Sequence, residues 1–327
     1  MLRNKLITMK DAVAKYTWDG MTYAHGAALP VGSDSIAFGR EMVRQGRKDL
    51  NLISNCNSQQ SNLLAAVGAV RRIEVGFAGL EVYGFAQGLR RAITSGKTIC
   101  EDFSNGSIPL RLLGGALNWP FVPATINVGS DEQWCSADNP DEYPAKNKMP
   151  EVTDPFTGKT CYAFNVIKPD MAAIHVTMAD IYGNAIMLGT EWSRYELSRA
   201  AKKVVLQADF IVDTDCIRQF PNLVRIPAEI VDAVVYWPMG VWPQCSVGVY
   251  DSDEEHMFAM NKALRTEEGT EEYVEKYVTS YQTREEYLDV IGKDKVDKLN
   301  DNPTTFLMDP YRKWILSDDE IKELEGR

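Results

Sequence analysis

The chain has 327 residues, 45% of them hydrophobic, and a formal net charge of −11. That is apolar content enough for one large α/β domain or two smaller ones. The acidity argues against a nucleic-acid binder, because neutralising phosphates takes clustered Lys and Arg, whereas Arg71-Arg72, Arg90-Arg91 and Lys202-Lys203 are only pairs. No charged-then-apolar leader opens the chain, and no apolar run nears the roughly 20 residues of a membrane span. The expectation is a soluble, cytoplasmic protein that engages neither nucleic acid nor membrane.

The predicted elements alternate. "MKDAVAKY" has apolar residues at helical spacing, and "MTYAHG" reads as a strand ending in the small residues Gly26, Ala27 and Ala28. "DSIAFGREMVRQG" is a helix with Ser33 or Asp34 as its cap and Gly46 as its stop. Then come strand "DLNLIS", helix "SNLLAAVGAV", strand "IEVGFAG", a helix ending at Gly96, strand "KTICEDF", helix "SIPLRLLGGALN" and extended "FVPATI". Residues 131–160 are polar and proline-rich: a long surface loop with a hairpin-like end, or a lid or partner-binding arm. From Cys161 strands resume ("CYAFNVI", "AAIHVTMAD", "AIMLG"), followed by helix "EWSRYELSRAA" and strands "KKVVLQADFIV" and "EIVDAVVYWP". Residues 251–327 are helical and charged, with a capping box at Thr283 and Glu286. They read as a peripheral extension of a single domain spanning 1–327. Strands that are apolar runs, separated by helices, imply an open, mostly parallel sheet with helices on both faces.

Ligands of such sheets bind beyond the carboxyl ends of the strands. There is no Gly-x-Gly-x-x-Gly after the first strand, no phosphate loop and no Gly-x-Ser-x-Gly elbow. The six cysteines form no Cys-x-x-Cys pair and read as reduced. The three histidines are too scattered for a metal motif, and His175, in an apolar run, reads as a core residue. What remains are polar residues at strand ends. "NCNSQQSN", from Asn55, is either a solvated loop or a set of amides that reaches a ligand carbonyl or carboxylate. Glu81, near Gly79, is a surface residue or a pocket carboxylate. Of Glu101 and Asp102, at most one faces any pocket, because neighbours on an extended segment point to opposite faces; Asn105 follows them.

The stretch "DGMTYAHGAALPVGSD" resembles the opening motif of family I CoA-transferases, A-subunit type. Asp19-Gly20, Gly26 and Gly32 fall in register, Gly26-Ala27-Ala28 stands for Gly-Gly-Phe, and Asp34 stands where that motif has proline. "GGALNWPFVPATINVGSDEQW", ending near Ser130, and "VDAVVYWPMGVWPQCSVGVYDSDEEHM" resemble later segments of the glutaconate-type A subunit. The resemblance runs from about residue 5 to about 290.

It implies the CoA-transferase/NagB-like fold and a heterodimer with a B subunit, paired again into a heterotetramer. It implies CoA thioesters and carboxylic acids as substrates, with no permanently bound cofactor and no metal. The nucleophilic glutamate would belong to the B subunit, leaving no catalytic residue here with assurance and Glu81 as the one candidate. Gly26, Ala27, Ala28, Asn55, Gly79, Glu81, Asn105 and Ser130 would line the substrate site. Glu81 falls where the glutaconate enzyme has a serine facing the substrate's far carboxylate, so a dicarboxylic acyl group is disfavoured. A related branch of ring-opening acyl-CoA hydrolases also has an acidic residue there. That branch, however, places a catalytic glutamate where this chain has Asn105, and an amide is no base.

Overall fold

The computed structural model describes residues 3–26, 34–130, 132 and 148–326. The first half lays down α1 (Met9–Tyr16), β1 (Thr22–His25), α2 (Ile36–Arg44), β2 (Leu50–Cys56), α3 (Gln59–Ala66), β3 (Val70–Phe77), α4 (Gln87–Thr94), β4 (Ile99–Asp102) and α5 (Ser107–Ala116). A small antiparallel sheet follows, built from β5 (Val122–Ala124), β6 (Glu151–Thr153) and β7 (Thr160–Phe164). The chain then adds β8 (Met171–Ala179), β9 (Ala185–Ile186), α6 (Arg194–Ala200), β10 (Val204–Ile211), α7 (Thr214–Gln219), β11 (Val224–Ile226) and β12 (Ala233–Tyr236). The extension carries α8 (Glu254–Ala263), α9 (Glu267–Val274), α10 (Arg284–Ile291), α11 (Lys293–Asn300) and α12 (Asp318–Leu324).

Among the described residues the main sheet has nine strands. Its body, β12-β10-β8-β1-β2-β3-β4, is parallel throughout, and β9 and β11 are short antiparallel additions beside β8. Strand residues alternate between two cores, which is why the runs are apolar on both sides. Tyr23, Leu52, Ala173, Val205 and Val235 join the core that also holds side chains of α1–α4 and of the extension. Ala24, Ile53, Ile174, Leu206 and Val234 join the opposite one, with Leu112 of α5, Leu197 of α6 and Ile321 of α12. After β4 the chain crosses over and resumes at β8, on the other side of β1. The order of the strands therefore reverses at β1, and such a reversal opens a crevice at the carboxyl ends.

The extension is more than a peripheral wrap. Met257, Tyr281, Tyr287, Ile291 and Leu299 are buried in the first core. Arg40 of α2, fully buried, donates to the hydroxyls of Tyr287 and Tyr273 at 3.2 Å each and lies 4.9 Å over the Trp242 ring. Helix ends follow local chemistry: Thr8 caps α1, and Thr283 and Glu286 form the expected box on α10. Asp34 departs from expectation. The helix it was to cap begins at Ile36 with Ser35 in the cap position, and the Asp34 side chain turns inward. Ser33, the other candidate cap, lies outside the described residues, as do Ala27, Ala28, residue 131 and residues 133–147.

Candidate active site at the carboxyl ends of β1 to β4

The ladder registers bring the expected residues into one row. Ala24 pairs with Ile53, so Gly26 falls level with Asn55. Ser54 pairs with Val75, so Asn55 falls level with Gly76. Val75 pairs with Asp102, and the turn after β4 folds back over this row. Gly76 makes that approach possible: a Cβ there would sit 2.6 Å from Asn105 Oδ1, 2.8 Å from Asn105 N and 2.9 Å from the Asn55 carbonyl oxygen. Gly76→Ala should push the Asn105 turn outward, cost about 1–3 kcal/mol of stability and lower turnover by about tenfold or more through misplacement. Steady-state kinetics beside thermal melts checks this; unchanged kinetics would remove the turn from the site.

Asn105 is exposed, and its Oδ1 accepts from the Cys56 thiol at 3.5 Å. Burial pushes that thiol up to about 11, and the Glu81 carboxylate adds to the shift. Cys56 is therefore protonated at neutral pH, a donor and not a nucleophile. Orienting Oδ1 toward Cys56 leaves the Asn105 amide N–H groups free to serve a ligand. Asn55 Oδ1 is buried without a hydrogen-bond partner among the described residues, so it stands ready for a donor.

Glu81 is exposed, in a turn just past β3, at φ +51°, a conformation uncommon outside glycine. Gly79 bridges Phe85 across the base of this turn, and the Phe77 ring packs where a Gly79 Cβ would stand. Exposed apolar side chains lie on this turn and beside it: Phe77, Val82, Phe85 and Phe258, the last packed on Tyr83, are 37, 81, 67 and 53% exposed. Ser130 ends the turn 127–130 and spends its hydroxyl on the Asn127 carbonyl at 2.8 Å. Among the described residues its hydrogen bonding reaches the site through Asn127, whose amide donates to Ser104 Oγ at 2.9 Å. Glu101 points away, buried with Arg72 and Lys148 at 3.7 and 3.8 Å, while Asp102 is exposed.

Gly26 borders a buried polar network that sequence reasoning missed. Asp34 accepts from Gln60 Nε2 at 3.0 Å and from Ser58 Oγ, and lies 3.2 Å from His25 Nδ1. Tyr23 donates to Gln60 Oε1. The solvated-loop alternative for "NCNSQQSN" fails: residues 57–62 are fully buried, and Ser58 caps α3 with Ser61 as the reciprocal partner. Arg194 closes the other side of Gly26, where a Cβ would meet its Cγ at 2.5 Å. Its guanidinium donates to the backbone oxygens of His175, Glu191 and Thr190. Burial lowers its pKa to about 10, against the pull of Glu191 and Asp34, so it stays charged. The available signal was Asp34 in place of the motif proline, since a lone buried carboxylate must find donors. His175 is a core residue as expected, 2.8 Å from Asp209. No metal-binding cluster occurs among the described residues, nor any helix long and apolar enough to cross a membrane.

The chain is similar to known proteins along most of its length. Residues 6–236 match the family model described as Coenzyme A transferase. An uncharacterized protein of Archaeoglobus fulgidus is 33% identical over 90% of this chain, which spans 64% of that protein's length. The A subunit of glutaconate CoA-transferase from Acidaminococcus fermentans is 29% identical over 90% of this chain and 94% of its own. The crystal structure of that glutaconate enzyme superposes with a TM-score of 0.86, covering 97% of this chain and 99% of the other at 25% identity. A cholesterol ring-cleaving hydrolase component from Rhodococcus jostii is 27% identical over 77% of this chain. The chain belongs to the coenzyme A transferase family and is similar, over most of its length, to the A subunit of glutaconate CoA-transferase.

Proposed function

We propose that this chain works with a B subunit to move CoA from an acyl-CoA to a free carboxylic acid, and that Asn55, Glu81 and Asn105 line the acyl side of the shared site. One observation carries this reading. The strand ends present amide groups and a carboxylate around an open face, but the thiol there, Cys56, is held protonated. The face can bind and orient; Glu81 is read as the group that selects the acyl chain, and the attacking carboxylate is taken to come from the B subunit, as the family resemblance implies. The exposed side chains of Phe77, Val82, Phe85 and Phe258 are the part of this face on which a partner surface would close, excluding water.

In the proposed cycle a partner carboxylate attacks the thioester carbonyl. CoA thiolate leaves, and an acyl-carboxyl anhydride forms. The thiolate then attacks the enzyme-side carbonyl, which releases the acyl group as its free acid and leaves an enzyme-CoA thioester. The acceptor acid runs both steps in reverse and departs as the new acyl-CoA. Each addition builds negative charge on a carbonyl oxygen, and donors such as the Asn105 amide are suited to meet it. Glu81 sets the acyl class by repelling a second carboxylate. CoA thioesters as substrates fit a cytoplasmic enzyme.

The test is mass spectrometry of CoA species, using this chain co-purified with its partner and a panel of acyl-CoAs, with and without acetate. Acetyl-CoA that appears only with acetate supports transfer. Loss of acyl-CoA without an acceptor would favour the hydrolase alternative. Glu81→Ser should shift preference toward dicarboxylic acyl-CoAs by about tenfold or more, as expected when a like charge is removed. An unchanged preference would take Glu81 out of the pocket.

A further inference from the structure

The turn that carries Glu81 is closed on itself. Leu80 N donates to the Gly84 carbonyl at 2.7 Å, Tyr83 N to Leu80 at 3.0 Å and Gly84 N to Glu81 at 3.0 Å. A small turn holding a non-glycine residue at φ +51° needs outside support to keep that shape. The support comes from the extension, beyond the stretch 6–236 matched by the family model.

Asn261 of α8 is 5% exposed and uses its whole amide on this segment. Its Nδ2 donates to the carbonyls of Tyr83 and Phe85, both at 2.9 Å. Its Oδ1 accepts from Gln87 N at 3.0 Å and from Asn62 Nδ2 at 3.2 Å. Asn62 in turn accepts from Gly88 N at 2.8 Å and Leu89 N at 3.2 Å, fixing the start of α4. Two facing amides thus hold five backbone groups between residues 83 and 89. Carbonyls on one side and N–H groups on the other call for a side chain with both donor and acceptor, which at this length is asparagine.

We propose that Asn261, braced by Asn62, is a positioning residue that holds the Glu81 carboxylate in the acyl site and thereby tunes which acyl groups the enzyme accepts. The proposal rests on the reading that Glu81 lines that site. It gives the extension a role in specificity, although none of its residues need touch substrate.

A double-mutant cycle on the enzyme assembled with its partner tests it. The readout is the ratio of kcat/KM for a neutral acyl-CoA over a dicarboxylic one. Asn261→Ala should change this ratio roughly fivefold or more in the native background and less than about twofold beside Glu81→Ala, as coupled neighbours do. Asn261→Asp keeps the acceptor bonds and loses both donations, so it should move the ratio in the same direction. Gly84→Ala, at an exposed position with φ +85°, strains the turn from its other side and should do likewise. A clamp that only supports the fold would lower activity on all substrates alike, in both backgrounds, and that result overturns the proposal. If Asn261→Ala is insoluble, an unchanged ratio in both Asn261→Asp and Gly84→Ala overturns it as well. If Glu81→Ala itself leaves the ratio untouched, it is the reading of the pocket that fails, and the cycle shows that separately.

Discussion

Replacing Asp34 by alanine should cost the fold about 3–5 kcal/mol, the range for breaking one side of a buried charge pair. The carboxylate is fully buried and answers three side chains at once: His25 Nδ1, Ser58 Oγ and Gln60 Nε2. It is also a counter-charge for Arg194, which has no exposed surface to retreat to. Alanine would take the acceptor from the buried Ser58 hydroxyl and the counter-charge from beside His25 and Arg194, while Gln60 Nε2 keeps the Ser35 carbonyl at 2.7 Å, and a stranded buried polar atom costs more than the bond it lost. A melting point lower by roughly 5–10 °C is the expected readout. Asp34→Asn keeps the volume and one acceptor and should cost less, about 1–3 kcal/mol. Because Gly26 and Asp34 bound the stretch that resembles the family's opening motif, the destabilised variant should also lose activity before it melts. A loss under about 1 kcal/mol in Asp34→Ala would show that the network is not holding this end of β1.

Much of this architecture is legible in the sequence, and the illegible part has a physical pattern. The strands β1–β4 and their helices stand out because burial on both faces makes them apolar runs and because capping residues and glycines punctuate them. Their alternation puts Gly26, Asn55, Glu81 and Asn105 at strand ends with no structure needed, since the ends of parallel strands share one side. What the sequence hides are polar residues whose meaning depends on distant partners. Asp34 looks like a helix cap until Gln60 and Ser58 are seen beside it. "NSQQSN" looks solvated because six polar residues in a row usually are; here the helix cap and the buried network consume them. Asn261 lies 178 residues from the carbonyl it holds, and no local pattern announces such a contact. The role of Cys56 depends on Gly76, whose missing Cβ leaves the Asn105 turn room to come close enough to accept from it.

Acidification should loosen the extension, and His256 is the group that senses it. This residue of α8 is 6% exposed, with its ring 3.9 Å from that of Trp242 and its Nε2 3.1 Å from the Tyr273 hydroxyl. Burial, and then the charge of Arg40, lower its pKa from 6.5 to about 3. Asp253 pulls the other way, but Lys295 and Lys276 add to the positive surroundings. In the unfolded chain the imidazole takes up a proton below about 6.5; in the folded chain it does so only near 3. Between these values the unfolded state binds more protons, so stability falls as pH falls. The His256 contribution is whole above about pH 6.5 and shrinks by about 1.4 kcal/mol per pH unit below it. From about pH 7 to about pH 4.5 it should remove about 2.7 kcal/mol, two units' worth below the unfolded value. His256→Gln cannot titrate. It should be less stable at about pH 7, having lost the ring contacts, yet fall by about 2–3 kcal/mol less than the native chain over the same pH interval in urea titrations. Parallel slopes in the two proteins would mean that the imidazole takes up its proton as readily in the fold as in the unfolded chain. The same helix carries Asn261, so the acid-weakened region is the one that braces the Glu81 turn. In the native enzyme, acyl discrimination should therefore decay on the acid side before the sheet itself unfolds, and in His256→Gln that decay should be shallower.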